Sequence, residues 1–356
     1  MDHMRSYKLG VLAGDGIGRE IIEATTAVLE AAAKKKEVKI EWVPLPMGFK
    51  AIEKNEQPMP ESTITALTGC DGWLLGPHDS ASYPERYKAI RNPSGELRHR
   101  FDLYANIRPA KSSPFVEGLV QDADLIIYRE NTEGFYVDRN MYQGVGEWMV
   151  TTDVAVTAGV FTRQAIERIA HAAFQKARTR RKKVTIVHKA NVIRLGTGLF
   201  LRVCQEVAKE YPDVEVDDYH IDAMCAHLVR RIHDFDIVVT ENMFGDILSD
   251  LTGELVGSLG LAPSINANDT YAMAQAAHGS APDIANQDIA NPMGMLQSAV
   301  MLLDWLGERH DDVNLGAMSA SIEEAVSKTL SQGVRTRDLG GEAGTREFAQ
   351  AIIKSL

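Results

Sequence analysis

The sequence predicts an α/β protein of two domains, and three observations carry that reading. At 356 residues the chain exceeds the roughly 250 to 300 at which a single hydrophobic core stops growing, so it should divide in two. Short apolar runs alternate with segments of helical period, the pattern of a mainly parallel sheet covered by helices. After Gly134 the alternation stops: FYVDRNMYQGVGEWMVTTDVAVTAG is aromatic and β-branched with glycine turns, and reads as strands without a helix. Inserted strands of this kind suit pairing with a second subunit.

Taken in order, residues 7–13 form an apolar strand, Gly14-Asp15-Gly16-Ile17-Gly18 a glycine turn, and residues 19–36 a helix. Strand, glycine turn and helix is the setting of a dinucleotide fingerprint. GxGxG departs from GxGxxG, however, and no acidic residue about 20 positions on closes a neighbouring strand. Residues 38–45 predict a strand, 60–68 a short helix and 72–75 a third strand. Residues 76–94 are rich in turn formers, and so long a loop is usually functional or disordered. A strand at 125–128 precedes the insertion. Alternation then resumes with helix 162–177, strand 184–188, helix 199–210, strand 214–219, helix 223–231, strand 237–239 and a helix from Asn242. The last third holds the loop 278–292, punctuated by glycine and proline, and helices near 297–306, 322–332 and the C-terminus.

Composition narrows the class. Hydrophobic content of 45% and charged content of 24% are those of an ordinary globular protein. No apolar run approaches the roughly 20 residues that span a bilayer, and no signal-peptide core opens the chain, so neither membrane nor export is expected. Cys70, Cys204 and Cys225 are isolated and lack ligand spacing, which fits a reducing cytoplasm. A net charge of −11 opposes nucleic acid as a partner. The basic run 176–183, KARTRRKK, reads as a solvated helix end favoured by the helix dipole, or as a polyanion patch.

Two constellations carry chemistry. On the helix from Asn242, Asp246 and Asp250 follow at i+4 and i+8, so three oxygen-bearing side chains share one face. Phe244, Ile247, Leu248 and Leu251 flank them with apolar surface. The residues alone leave two readings, a solvated acidic face or a site for a hard cation such as Mg²⁺ or Mn²⁺. Arg98, Arg108 and Arg129 lie in three successive segments, and guanidinium forks that converge would hold a di- or tricarboxylate. Taken singly, Lys189 reads as a surface lysine at a strand end, Tyr136 as a core aromatic and Asp222 as a helix N-cap.

Seven motifs resemble one known family. They are GDGIGREI from Gly14, LRHRFDLYANIRP from Leu97, YRENTEGFY from Tyr128, VHKANV from Val187, IDAM from Ile221, NMFGDILSDL from Asn242 and HGSAPDIANQDIANP from His278. The chain is similar along nearly its whole length to the β-decarboxylating dehydrogenases of 3-substituted malates, which act on isocitrate, homoisocitrate, isopropylmalate and tartrate. The resemblance implies an isopropylmalate dehydrogenase-like fold, not a Rossmann fold. A large α/β domain on the cofactor side would take residues 1–104 and 256–356. A smaller central domain, 105–255, would carry metal ligands and a β-rich dimer clasp at about 134–160.

It further implies that Arg98, Arg108 and Arg129 bind the malate carboxylates. Asp246 and Asp250 would hold Mg²⁺ or Mn²⁺ together with Asp222 of a partner subunit. Lys189, also from the partner, would accept the C2 hydroxyl proton, and Tyr136 would protonate C3. His278, Gly279, Ser280, Ala281 and Asn291 would line the adenosine side of the cofactor. Asp283 and Ile284 stand where NADP-dependent relatives resemble one another in carrying lysine and tyrosine; a carboxylate there accepts from both ribose hydroxyls and repels a 2′-phosphate, which predicts NAD.

The substituent at C3 is read just before Arg98. Here Asn92, Ser94 and Gly95 replace the leucines of isopropylmalate enzymes and the extra arginine of homoisocitrate enzymes. A polar pair favours a polar substituent, as in isocitrate or homoisocitrate, over isopropylmalate, tartrate or D-malate. Two other classes are a regulatory subunit of a heteromeric isocitrate dehydrogenase, which would have lost part of the Tyr136, Lys189, Asp222, Asp246, Asp250 set, and a diphosphate-using transferase, which would need a second aspartate-rich helix. The expected protein is a cytoplasmic homodimer with shared active sites.

Overall fold

The computed structural model describes residues 5–136, 141, 143, 144 and 146–356, and these fall into two compact units. The first comprises residues up to Leu97 with Leu259–Ile265 and Asp269–Leu356; the second comprises Arg98–Ser258 with Asn266–Asn268. Both are α/β, and the described residues hold no helix long and apolar enough to cross a membrane.

The N-terminal part of the first unit runs β1 (Ser6–Leu12), α1 (Gly18–Lys35), β2 (Lys39–Pro44), α2 (Phe49–Ile52), α3 (Glu61–Leu67), β3 (Gly72–Leu75) and α4 (Pro93–Arg100), whose last turn passes into the second unit. β1 pairs in parallel with β2 on one side and β3 on the other. The long loop before α4 is ordered by one carboxylate. Asp15 accepts from the Phe49 and Asp79 amides and from the Tyr83 hydroxyl, at 2.8, 2.9 and 2.6 Å. Tyr83 and Tyr87 then bury against Ile52 and Phe49.

The second unit continues with β4 (Ala105–Lys111), β5 (Asp124–Glu130), β6 (Glu147–Thr151), β7 (Val154–Thr157), α5 (Arg163–Arg178), β8 (Lys183–His188), α6 (Gly196–Ala208), β9 (Glu215–His220), α7 (Ile221–Arg231), β10 (Ile237–Thr240) and α8 (Asn242–Val256). Its sheet runs β4-β5-β10-β8-β9, antiparallel between β4 and β5 and parallel elsewhere. Side chains alternate faces along each strand. Ile237 and Val239 therefore join Val184 and Ile186 under Ile166, Phe174 and Phe200 of α5 and α6, while Val238 joins Val187 under Met224, Leu228 and Leu248 of α7 and α8. The basic run after α5 is held in ion pairs: Arg178 to Asp213, Arg180 to Asp124 and Asp236, and Lys183 to Glu215 and Asp217. β6 and β7 form an antiparallel hairpin that exposes Trp148, Met149, Val150 and Val154. Of the expected clasp region, residues 137–140, 142 and 145 lie outside the described residues.

The remaining elements are β11 (Ile265–Ala267), β12 (Ala272–Ala274), α9 (Met293–His310), α10 (Val313–Ser331) and α11 (Thr345–Ser355). β12 adds in parallel to β3 in the first unit, and α1, α9, α10 and α11 pack on one another there. The glycine turn that misfits a dinucleotide fingerprint has a packing role. Gly16 is left-handed, a Cβ on it would lie 1.9 Å from the Ser280 carbonyl oxygen, and that oxygen accepts from the Ile17 amide at 2.8 Å. The turn thus docks the loop that begins at His278.

Candidate active site

β10 is wholly buried and delivers the chain to α8, whose N-terminus is capped by Glu241 accepting from the Met243 and Phe244 amides at 3.0 and 2.8 Å. One turn in, Gly245 has no side chain because Arg129 passes there: a Cβ would lie 2.5 Å from Arg129 Cγ. Arg129 comes from β5, is 2% exposed, and donates through Nε and Nη2 to Asn242 Oδ1 at 3.0 and 2.7 Å and through Nη1 to Asp246. Arg108 comes from the antiparallel neighbour β4. Its Nη1 donates to Ser249 Oγ at 2.6 Å and lies 3.3 Å from Asp250 and 3.5 Å from Asp246, while Nε donates to Asn106 at 2.8 Å. The Tyr136 hydroxyl donates to the other Asp246 oxygen at 3.0 Å, beneath the Arg129 guanidinium.

The structure thus gathers Arg108, Arg129, Tyr136, Asp246 and Asp250 on one face of α8. Arg98, buried in the last turn of α4, adds its charge to the field at Asp246. Burial pushes the Asp246 carboxyl up, but Arg129 and then Arg108 outweigh it and hold it below the usual carboxylate range. Asp250, which meets Arg108 while Arg129 pairs with Asp246, is raised by burial and by the Asp246 charge against the pull of Arg108. Arg108 itself is lowered to about 10 by burial, with Arg129 as the repelling neighbour. Two cations kept so close favour an anion between them.

Asn242 and Ser249 are further members of the site. Asn242 was legible from its place one turn before Asp246, and its role is to orient Arg129. Ser249 gave no signal beyond being a polar residue next to Asp250.

Asp246 and Asp250 offer hard oxygen donors one turn apart, and among the described residues no third His, Cys, Asp or Glu joins them within one chain. The donor set fits a hard divalent cation completed from outside the chain. Lys189 and Asp222 instead pair with each other, Nζ to Oδ1 at 2.5 Å. Lys189 lowers the exposed Asp222 carboxyl. Near this pair Val192 and Leu195 are 67% and 90% exposed.

The remaining expected residues lie in the first unit. His278 Nδ1 donates to the Gly279 carbonyl at 3.0 Å, while Nε2 is buried with no hydrogen-bond partner among the described residues, and burial pushes the ring towards its neutral form. Among the described residues, none beyond its chain neighbours lies within 4 Å of a Cβ built on Gly279, and Asp283 is exposed on the turn Pro282–Ile284. An orphaned ring nitrogen, open space at a glycine and an exposed carboxylate fit the adenosine end of a dinucleotide. Ala281 and Asn286 adopt left-handed conformations, which explains asparagine at a position otherwise suited to glycine. Asn291 is engaged within the unit, accepting from the Met293 amide and donating to Asp338, both at 2.9 Å. Asn92 accepts from the Gly95 amide at 2.8 Å and starts α4; Ser94 is buried and donates to Gln275 at 2.8 Å. Gln275 therefore has a definite partner just upstream of the arginine helix turn.

Comparison with known proteins identifies the family. The family described as isocitrate/isopropylmalate dehydrogenase matches residues 8–352. The chain is 43% identical over 354 residues to an isocitrate/homoisocitrate dehydrogenase of Thermus thermophilus, covering 99% of each. It is 40% identical over 353 residues to a 3-isopropylmalate/3-methylmalate dehydrogenase of Methanocaldococcus jannaschii, covering 98% of each. Its fold is similar to the crystal structure of isocitrate dehydrogenase from Methylococcus capsulatus, with a TM-score of 0.87, 38% identity and coverage of 98% and 99% of the two chains. Matched from strand β1 to helix α11, the chain belongs to the isocitrate/isopropylmalate dehydrogenase family.

Proposed function

We propose that the protein oxidatively decarboxylates a (2R)-malate carrying a polar substituent at C3, of isocitrate or homoisocitrate type, with NAD and Mg²⁺ or Mn²⁺. Family membership supports the reaction class and a nicotinamide cofactor with a divalent metal. The observation that carries the reading is the convergence of Arg108, Arg129 and Tyr136 on Asp246 and Asp250.

In this reading Arg98, Arg108 and Arg129 hold the substrate carboxylates by paired charge-assisted hydrogen bonds. Asp246 and Asp250, with Asp222 of the partner subunit, would hold the cation, and His278, Gly279, Ser280, Ala281, Asp283, Ile284 and Asn291 would line the adenosine side of NAD. When bound, these two groups supply stabilisation of negative charge on the substrate oxygens and a hydride acceptor. Lys189 of the partner subunit takes the proton of the C2 hydroxyl as C2–H leaves as hydride. The β-keto acid then loses CO₂ from C3, and Tyr136 returns a proton to that carbon. Asn92 and Ser94, at the start of α4, set the polarity met by the C3 substituent.

A second copy of the chain is the occupant that the exposed hairpin β6–β7 and the Val192 and Leu195 surface fit, because both expose apolar side chains and Val192 bonds through its amide to Lys189, which the reading draws from a partner. The test is a parallel assay of isocitrate, homoisocitrate, isopropylmalate, tartrate and D-malate with NAD, with and without Mg²⁺. Metal-dependent NADH formation, fastest with the first two, is expected. A preference for isopropylmalate would overturn the substrate assignment, and no turnover of any of them would overturn the reaction.

A further inference from the structure

Lys189 is the first residue beyond β8, and its backbone is held on every side. Its amide donates to Thr197 Oγ1 at 3.1 Å, and its carbonyl accepts from the Val192 and Ile193 amides at 3.0 and 2.9 Å. The next amide, of Ala190, donates to His188 Nδ1 at 3.0 Å. His188 is 3% exposed, its Nε2 lies 2.9 Å from Asp218 Oδ1 on β9, and its ring meets His220 edge-on at 5.1 Å. An amide N–H can only donate, so Nδ1 must present its lone pair. The ring proton then sits on Nε2, where the Asp218 carboxylate accepts it. A ring protonated on both nitrogens would have no lone pair left for Ala190.

We infer that His188 is a positioning residue: Asp218 selects its tautomer, and the bare Nδ1 fixes the peptide after Lys189, which aims the lysine amine at the hydroxyl proton. The pairing of β8 with β9 does not need this contact, because Thr185 already bonds Asp217 at 2.6 Å and Lys183 bridges Glu215 and Asp217. The inference rests on the proposed role of Lys189.

Asparagine places an oxygen near the position of Nδ1, whereas glutamine reaches the position of Nε2. In the full-length enzyme His188→Gln keeps the Asp218 contact but leaves Ala190 unmet, and is expected to lower kcat by roughly ten- to a hundredfold with the KM for NAD unchanged. His188→Asn restores the Ala190 acceptor and is expected to keep most of kcat. Equal loss in both variants, or none in His188→Gln, overturns the inference. ¹⁵N shifts of the His188 ring in histidine-labelled wild-type protein give a second readout independent of variant folding. A proton on Nε2 is expected, and a proton on Nδ1 overturns it. Lys189→Ala separates the two claims: if it stays active, the lysine role fails as well, whereas an inactive Lys189→Ala beside an unaffected His188→Gln sinks only the positioning.

Discussion

At the scale of single residues, Gly245 is the position where chemistry and packing are least separable. A methyl group there meets the Arg129 stem at 2.5 Å, and Arg129 is too buried to yield. Gly245→Ala is expected to displace the guanidinium from Asn242 and Asp246, raise the KM for the malate about tenfold and destabilise the fold by about 1–3 kcal/mol. Substrate titration and thermal melting check both, and an unchanged KM would show that Arg129 does not hold substrate. On the cofactor side, Asp283→Lys with Ile284→Tyr should move preference from NAD towards NADP, read as the ratio of kcat/KM for the two. A wild-type enzyme that already used both equally would remove the role given to Asp283. The helix trio Asn242, Asp246 and Asp250 was legible from spacing alone. The guanidinium partners were not, because β4 and β5 bring them from more than a hundred residues away in sequence, and only their pairing sets them side by side.

At the scale of elements, the segment from Glu130 to Tyr136 is tied down by three buried carboxylates. Glu130 accepts from the Thr132 and Glu133 amides, Glu133 from the Thr162 amide and hydroxyl at the start of α5, and Glu241 caps α8 beside Gly134. Burial, with the Glu130 charge second, raises Glu133 to about 7, and burial raises Glu241 to about 7. Both folded-state values lie above the ordinary glutamate value of 4.5, so the native state binds these protons more tightly than the unfolded chain. Their stabilisation is full below that ordinary value and is lost as pH rises through about 7. The melting temperature should therefore fall by a few degrees between about pH 5 and pH 8, and Glu133→Gln should flatten the profile. A profile unchanged by that substitution would mean Glu133 does not titrate there.

α4, β4 and the start of α10 were missed in the sequence, each for its own physical reason. α4 shows one deeply buried apolar residue, Leu97, and owes its start to the Asn92 cap. β4 contains Pro109, which argues against a strand until β5 is there to pair with it. The first turns of α10 carry Gly316, Ala317, Ser319 and Ala320, too small to show a period, and begin at the Asp312 cap. β1, β3, β8 and β10, with short, mostly buried apolar runs, could be read directly.

At the scale of the whole molecule, the proposed sharing of Lys189 and Asp222 with a second copy makes a quantitative prediction. Lys189→Ala and Asp246→Asn should each be inactive alone. Unfolded together and refolded, half of the dimers should be mixed, and each mixed dimer would hold one intact site. About a quarter of wild-type activity should therefore return. No recovery, with mixed dimers shown to form, would mean that one chain supplies all catalytic groups. Charged substitutions of Trp148 and Met149 on the exposed hairpin should lower the oligomer mass in light scattering without changing the helical circular dichroism signal, and an unchanged mass would remove the hairpin from the interface.

The docking of the Gly16 turn against Ser280 bears on how the polypeptide comes off the ribosome. The first unit is discontinuous, whereas all but three residues of the second are consecutive. During translation strands β1 to β3 must wait, without α9, α10 and α11, for the partner loop that lies more than 260 positions downstream, while the middle of the chain can already close. Vectorial synthesis thus imposes an order: the unit bearing the arginines can close first, and the unit bearing His278 is sealed after it, once α9, α10 and α11 have followed.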